Sequence, residues 1–589
     1  MSESLPNTSS HDVVTFDINI DGSPLDPTVE VLSIDISKEI NRIPSARLSF
    51  IDGDAAEENF ALSSSDNLIP GKEIQIKLGR DSKNETVFKG IILKHSIKVT
   101  SGGASLLVIE CRDSAVKMTI GRHSKYYEEK KDSEVIEELI GNYGGLSKDV
   151  EATNIKHKEL VQYHCTDWDF MLSRADTNGK LVIVDDGKIQ VKKPDIGQSP
   201  KLNLLYGSSI FEFEGELDAR SQWKKVKAQA WDYAKQDMFS SDADSATFAE
   251  PGNLDGKKLS DTIGLKEFEL RHSGHVLVEE LTEWAKSAML KSRMAQFRGR
   301  AKIIVGQANI KPGDVVELKG LGNRFNGNAY VTAIRHEVTS GTWDTHLQFG
   351  LSPDWFASRE EIIDFPASGL LPAMRGLQIG KVVQLEKDPD GEDRILVKLP
   401  IIDPAAQGVW ARVACLDAGK QRGTFFRPEI DDEVIVGFIN DDPRDPVVLG
   451  QLNSSNKPAP LQAKDDNHEK GIFTRSKMRV LFNDDTKTIT IDTPSKNSIV
   501  IDEKSKSIVI TDQNKNTIKM ETAGITIDSP KNINIKAGAN ISIEAKANFN
   551  VKAAQIGEKA QGPIKLEGAL ATLSSQGITE VKGSLVKIN

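Results

Sequence analysis

A two-residue apolar phrase recurs through residues 481–589 and limits what this chain can become. Ile489-x-Ile491, Ile499-x-Ile501, Ile508-x-Ile510, Ile518-x-Met520, Ile525-x-Ile527, Ile533-x-Ile535, Ile541-x-Ile543 and Phe549-x-Val551 follow one another at steps of 10, 9, 10, 7, 8, 8 and 8 residues, a repeat that settles onto eight. Within each unit the apolar residues alternate with polar ones, the period of a strand with one buried face. Turn formers such as Asp492, Pro494, Asn497, Pro530, Gly538 and Asn540 fill the gaps. The pattern predicts a stack of short strands joined by tight turns. Ordering eight residues costs roughly 8–16 kcal/mol of backbone entropy, whereas burying two Ile-sized side chains returns roughly 3–6 kcal/mol. One unit cannot fold alone and must lean on neighbours and on other walls. Three such walls can come from one coiled chain or from three chains, and periodicity leaves both open.

A chain of 589 residues exceeds a single core, and three to five domains are expected. Residues 13–120 alternate as strands through Phe16, Ile18 and Ile20, Arg47–Ile51, Ile74–Leu78 and a long run from Val87 to Val99, the text of a barrel-like sheet. Residues 121–200 predict two helices and a hairpin: Ser133 caps a first helix ending at Gly141, Thr166 with Asp169 resembles a capping box for a second, and Asp186-Gly187 turns the hairpin. Residues 201–365 return to strands around one long helix, about His275 to Gln296, which suggests a second, duplicated barrel. A Pro/Gly linker follows, then five short strands within residues 377–452, the number and size of an OB-fold. Residues 453–480 read as a second linker, and residues 481–589 as the repeat.

Residues 377–452 carry a recognisable text. Arg394-Ile395-x-Val397-Lys398-Leu399-Pro400, Trp410-x-Arg412-Val413, Ala418-Gly419-Lys420, Asp432-Glu433-Val434-x-Val436-x-Phe438 and Asp441-Asp442-Pro443-Arg444-Asp445-Pro446 resemble the OB domain of VgrG and related phage-tail spike proteins. Phe88-x-Gly90, Cys111-Arg112-Asp113, Asp167-Trp168-Asp169-Phe170 and Asn326-Gly327 agree with the hub of that family. The resemblance implies a mainly β fold: two barrel-like hub domains with a helical module, an OB-fold, and a C-terminal triple-stranded β-helix, or β-prism, formed by a homotrimer. It also implies a structural spike of a contractile injection machine, type VI or phage-tail-like, that carries effectors. The implied partners are a second and third copy of the chain, inner-tube and baseplate proteins, effector cargo, and a PAAR-like tip protein docked through Leu585 and Ile588. The membrane of the target enters only as a barrier to be pierced. The repeat residues from Ile489 to Val551 would line the trimer core.

Chemistry is not expected. His164-Cys165 beside Asp167 and Asp169 reads as a strand feeding a capped helix, since adjacent residues do not easily face one substrate. Asp388, Asp390, Glu392 and Asp393 read as a hairpin tip rather than a calcium loop. The three cysteines, Cys111, Cys165 and Cys415, have no metal spacing and suit a reducing compartment. No catalytic residue, metal or cofactor is expected. Residues 377–452 hold nine Lys or Arg against fourteen Asp or Glu, a net of −5, which argues against nucleic acid. Mean hydropathy of −0.36, with no long apolar run and no basic, apolar leader, predicts synthesis in the cytoplasm and later assembly into a particle. The competing reading is a trimeric carbohydrate-active or adhesive fibre, whose binding head would need exposed aromatics. Here the last Trp is Trp410 and the last Tyr is Tyr330.

Overall fold

The computed structural model describes residues 13–101, 104–248, 251–303 and 305–588. Residues 1–12, read from sequence as a polar lead-in, and Ile304 of the strand expected at 301–305 lie outside them. The chain packs as two units, one running to Ile430 and including Ile435–Leu449, the other comprising Asp431–Val434 and the chain from Gly450.

The first unit is built on one sheet. Val14–Ile20, Val31–Glu39, Ser45–Ile51, Glu73–Arg80, Lys83–Lys98 and Leu106–Arg112 pair antiparallel, with alternate burial clearest in Val31–Glu39 and Ser45–Ile51. Lys83–Lys98 is a single strand. Gly90 sits where a Cβ would fall 2.2 Å from the Arg112 carbonyl oxygen, so only glycine allows the neighbouring strand so close. The two barrels expected from sequence are halves of one thirteen-stranded sheet, because Val31–Glu39 also pairs with Gly327–Thr339, from Ala333 opposite Glu39 to Thr339 opposite Ser33. Each half keeps its own core. Ile36, Leu48, Phe50, Ile76 and Phe88 fill the first, to which Trp343 from the far half contributes; Phe297, Val316, Leu318, Val331 and Phe349 fill the second.

Val226–Asp232, expected in the second barrel, instead forms a small sheet with Asp237–Ala243 and Phe268–His272. Its Val226, Ala228 and Ala230 are small enough for helix α4, Val278–Met294, to lie on them through Leu281, Ala285 and Met289. A further helix, α3 at Gly256–Ile263, was not foreseen. Asp255 caps it by accepting the Lys258 N–H at 2.7 Å, and Gly264 ends it at φ 72°.

The module between the halves holds α1, Asp132–Gly141, and α2, Asp167–Thr177. Thr166 caps α2, its hydroxyl accepting the Asp169 N–H at 3.0 Å. Ser133 is not the cap of α1. It lies inside the helix exchanging hydrogen bonds with Thr153, while Glu134 accepts the Lys131 N–H at 2.8 Å. The hairpin of Leu181–Asp185 and Lys188–Lys192 turns at Asp186 and Gly187, both at positive φ. Asp132, 1 % exposed in its side chain, anchors the module. It accepts from Arg174 Nε at 2.6 Å, His157 Nε2 at 3.0 Å and Asn178 Nδ2 at 2.9 Å, and Arg174 reaches on to Glu280 of α4 at 3.0 Å.

Gln378–Gln384, Ile395–Lys398, Val409–Val413, Pro446–Gln451 and Glu433–Phe438 close a five-stranded barrel around Val382, Ile395, Val397, Val436 and Val448. Among the described residues no helix is long and apolar enough to cross a membrane.

Burial alone would raise the Asp132 carboxyl, but the His157 hydrogen bond and the Arg174 charge outweigh it and hold the group well below the usual carboxylate range. A depressed folded value stabilises the hub above about pH 4, the unfolded carboxyl range, and that contribution is lost as pH falls through the folded value. Asp132→Asn should destabilise the hub by about 3 kcal/mol at neutral pH, because it leaves Arg174 short of a buried partner. Chemical denaturation across pH 3–7 should also show a shallower acid dependence in the variant.

Candidate self-association surface

The second unit begins as a meander. Glu469–Phe473, Arg479–Asn483, Thr488–Asp492, Ser498–Asp502, Ser507–Thr511, Thr517–Glu521 and Gly524–Asp528 form a seven-stranded sheet in which each strand pairs antiparallel with the one before. The first of these strands and the start of the second fall where the sequence reading placed a linker. Lys470 stands there where the first apolar residue of the phrase would be, so the strand carries only half of the periodic signal.

Pairing is in register, and it sorts the repeat residues into two columns. Phe482, Ile489, Ile501, Ile508, Met520 and Ile525 stand opposite one another along one column, and Ile472, Val480, Ile491, Ile499, Ile510, Ile518 and Ile527 along the other. Residues two apart on a strand share a face, so both columns lie on the same side. The opposite side presents Thr490, Val500, Val509, Lys519 and Thr526 between rows of Ser, Thr, Asn and Asp. At seven strands the apolar strip is about 29 Å tall. Among the described residues no second layer covers it: Ile499 and Ile510, in mid-sheet, are 37 % and 38 % exposed, and Ile527 is 59 % exposed. Arg479 pins the first pairings, its Nε and Nη2 donating to the two carboxylate oxygens of Asp492 directly opposite, at 2.7 and 2.9 Å.

The repeat changes character after Asp528. Among the described residues no strand follows, and Ile533, Ile535, Ile541, Ile543, Phe549 and Val551 stand between 53 % and 70 % exposed. Leu585 and Ile588 are 77 % and 90 % exposed. The expected stack of strands is therefore present within the chain only to Asp528. Steps of 10, 9, 10 and 7 belong to the meander, where turns let each strand pair with its predecessor, and the run of eights begins as the meander ends. The eight-residue units that follow find no backbone partner among the described residues.

The residues weighed for chemistry are committed elsewhere. Burial pushes the Cys165 thiol up, and Asp167 beside it accepts from His123 Nδ1 at 2.9 Å, Gln162 Nε2 at 2.8 Å and Tyr143 Oη at 2.9 Å. Burial pushes the Cys111 thiol up to about 12 and His336 down to about 3, so neither is ready for proton transfer near neutrality. Asp388 accepts three backbone N–H groups and is forked by Arg394, which closes the hairpin tip with its own cation. Asp442 and Arg444 pair within their turn. No group of carboxylates, histidines or cysteines among the described residues is arranged to hold a metal ion.

Residues 10–340 match the Alg8 N-terminal domain, residues 378–452 the type VI secretion system/phage-baseplate injector OB domain, and residues 488–554 the phage baseplate V C-terminal trimerisation domain. The chain belongs to the Alg8 N-terminal domain family, and it carries in addition the injector OB domain and the baseplate V trimerisation domain. Solved structures similar to it include a tail protein from Neisseria meningitidis, 13 % identical over 58 % of this chain and 98 % of that one, with a TM-score of 0.44. Another is the E. coli c3393 protein of the type VI secretion system, 14 % identical over 74 % and 99 %, TM-score 0.35. A third is the Francisella PdpA-VgrG complex, 11 % identical over 89 % and 80 %, TM-score 0.38. The trimerisation match covers both the later meander strands and the first eight-residue units, the segment in which the chain leaves its apolar residues uncovered.

Neighbouring residues on one strand test the two faces. Ile491→Asp should abolish self-association, because it places a carboxylate without a partner in the apolar face that association would cover, whereas Thr490→Asp on the other face should leave association intact. Ile535→Asp against Lys536→Asp extends the same comparison below the meander. Native mass spectrometry of the four variants reads the outcome, and equal effects within either pair would show the faces to be misassigned.

Proposed function

We propose that this chain is the homotrimeric hub and spike of a contractile injection machine, joining the inner tube to a membrane-piercing tip and delivering effectors, with no catalytic activity of its own. The observation that carries the reading is the pair of uncovered apolar columns, continued by units that lack backbone partners, across a segment matching a trimerisation domain. Three walls, each with its columns facing inward, would bury every Ile of the repeat and leave the Thr- and Ser-rich face in water. The trimer supplies below Asp528 what one chain lacks there: strands of the other chains as backbone partners, wound into a β-prism.

The partners follow from the architecture. The broad hub sheet is the part suited to the tube and baseplate, and effectors would ride on the hub or on the tip. The far end of the prism would leave open strand edges, which proteins rarely leave uncovered. A PAAR-like protein seated on Leu585 and Ile588 would close them by strand-edge hydrogen bonds. The absence of enzymatic function is supported by the commitment of Cys165, Asp167 and Asp388 to structural bonds. On this reading the chain acts outside the cell that makes it, as part of an assembled particle.

Native mass spectrometry of the full chain should give three copies, and a mass of one copy would overturn the proposal. Deleting residues 582–589 should leave the trimer intact and abolish co-purification of a PAAR-like cap. A cap retained by the truncated trimer would place its seat elsewhere.

A further inference from the structure

The meander's turns share a feature that its folding does not require. Lys477, Lys487, Lys496, Lys506 and Lys515 each occupy the left-handed position of a turn, at φ between 53° and 71°, and only the sixth turn uses glycine there, Gly524 at φ 129°. Glycine and asparagine adopt this conformation with less strain than lysine. Asparagine stands one position later in two of these turns, as Asn497 and Asn516, yet lysine holds the strained place in all five. All five side chains are exposed, and none makes an ion pair among the described residues. Most acids nearby are otherwise engaged. Asp484 pairs with Lys470, Asp492 with Arg479, and Glu521 with Lys519; Asp502 accepts the Ser505 N–H, and Asp512 accepts those of Asn514 and Asn516. Asp485 and Glu503 are the carboxylates left in the turns of Lys487 and Lys506.

Successive turns lie at opposite ends of the strands. Lys477, Lys496 and Lys515 therefore run down one margin of the sheet and Lys487 and Lys506 down the other, with same-margin neighbours about 10 Å apart, two strand spacings. From Lys477 to Asp528 eight Lys or Arg balance eight Asp or Glu, and the excess of cations comes below. From Lys531 to Lys587 there are eight lysines against four glutamates, in a chain whose net charge is −11. That stretch holds no arginine, and its one aromatic residue is Phe549.

We propose that these lysines form a cationic track along the spike that binds the phosphate face of an anionic phospholipid bilayer. The inference rests on the spike reading and adds to it a surface for the shaft itself. Lysine is a point charge without the forked geometry that arginine offers to a defined site, which suits a fluid plane of headgroups. The scarcity of aromatics disfavours single-stranded nucleic acid, which needs stacking platforms. An acidic cap would meet a patch at one end, whereas these cations run from Lys477 to Lys587. Attraction of this kind sums over the lysines near the surface and decays within a Debye length.

The test is sedimentation of the full-length protein with vesicles of phosphatidylcholine alone and of phosphatidylcholine mixed with phosphatidylglycerol, at low and high salt. Binding should be confined to the mixed vesicles and vanish at high salt. Converting the five turn lysines to Asn, which keeps the left-handed turns comfortable, should weaken binding by at least about tenfold with the native mass unchanged. A second variant, with Lys531, Lys536, Lys546, Lys552 and Lys559 changed to Asn, should weaken it in the same way and gives a separate reading if the first fails to assemble. Equal binding to both vesicle types, no binding to either, unchanged binding by both variants, or binding to duplex DNA in place of vesicles would each overturn the proposal. Because native mass reports assembly separately, failure of the track is distinguishable from failure of the trimer.

Discussion

A single β-layer has two faces and can bury neither by itself, and the lower part of this protein depends on that constraint. A stable domain needs at least two packed layers around its apolar surface. The meander from Glu469 to Asp528 supplies one layer, with its backbone hydrogen bonds satisfied strand by strand and its two columns of Ile, Val, Phe and Met in register. Among the described residues no second layer covers those columns. An exposed apolar strip of this height marks an interaction surface.

The hub solves the same problem internally. One continuous sheet serves two cores, and the helical module and α4 are fastened to it by buried charge as well as apolar packing. Lys38, 3 % exposed, points from the hub sheet to Asp185 and Asp186 at the hairpin turn, and Asp185 also engages Lys311. Asp132, Arg174 and Glu280 join α1, α2 and α4 in the same manner. Such clusters add little net stability over apolar packing, but each member is costly to leave unpaired. They specify one arrangement of the modules.

What could be read from sequence was local. The OB barrel was visible because its strands alternate and are bounded by turn residues, and α2 because Thr166 and Asp169 announce its start. The joining of the hub halves was not, since the pairing of Glu39 with Ala333 spans nearly three hundred residues and leaves no periodic trace. α3 carried a usable signal, Asp255 before it and Gly264 after it, but its apolar stripe is thin. The Asp132 cluster draws on four separate segments. For the candidate surface, the apolar phrase correctly placed Ile489 to Ile527 on one face. The same phrase masked a difference in architecture, because a strand looks alike whether its partner is its own chain or another.

Spacing marks where that difference falls. In the meander, units of seven to ten residues are five-residue strands plus a turn that reverses direction, so every strand finds its predecessor and the chain satisfies its own backbone. Length alone does not forbid reversal, since the seven-residue step from Ile518 to Ile525 still turns a hairpin, yet among the described residues the chain stops pairing with itself after Asp528. Local pairing forms at low entropic cost, whereas pairing between chains must first bring them together. In the proposed trimer the two sections therefore have separate tasks. The meander presents three preformed walls whose columns can dock only face to face, and their docking brings three eight-residue repeats to one point in a common register. The repeats can then wind from that point without searching for alignment. A one-residue slip would turn every Ile outward, and the Arg479–Asp492 pair at the head of the meander, fixed before the chains meet, opposes that slip where it would begin.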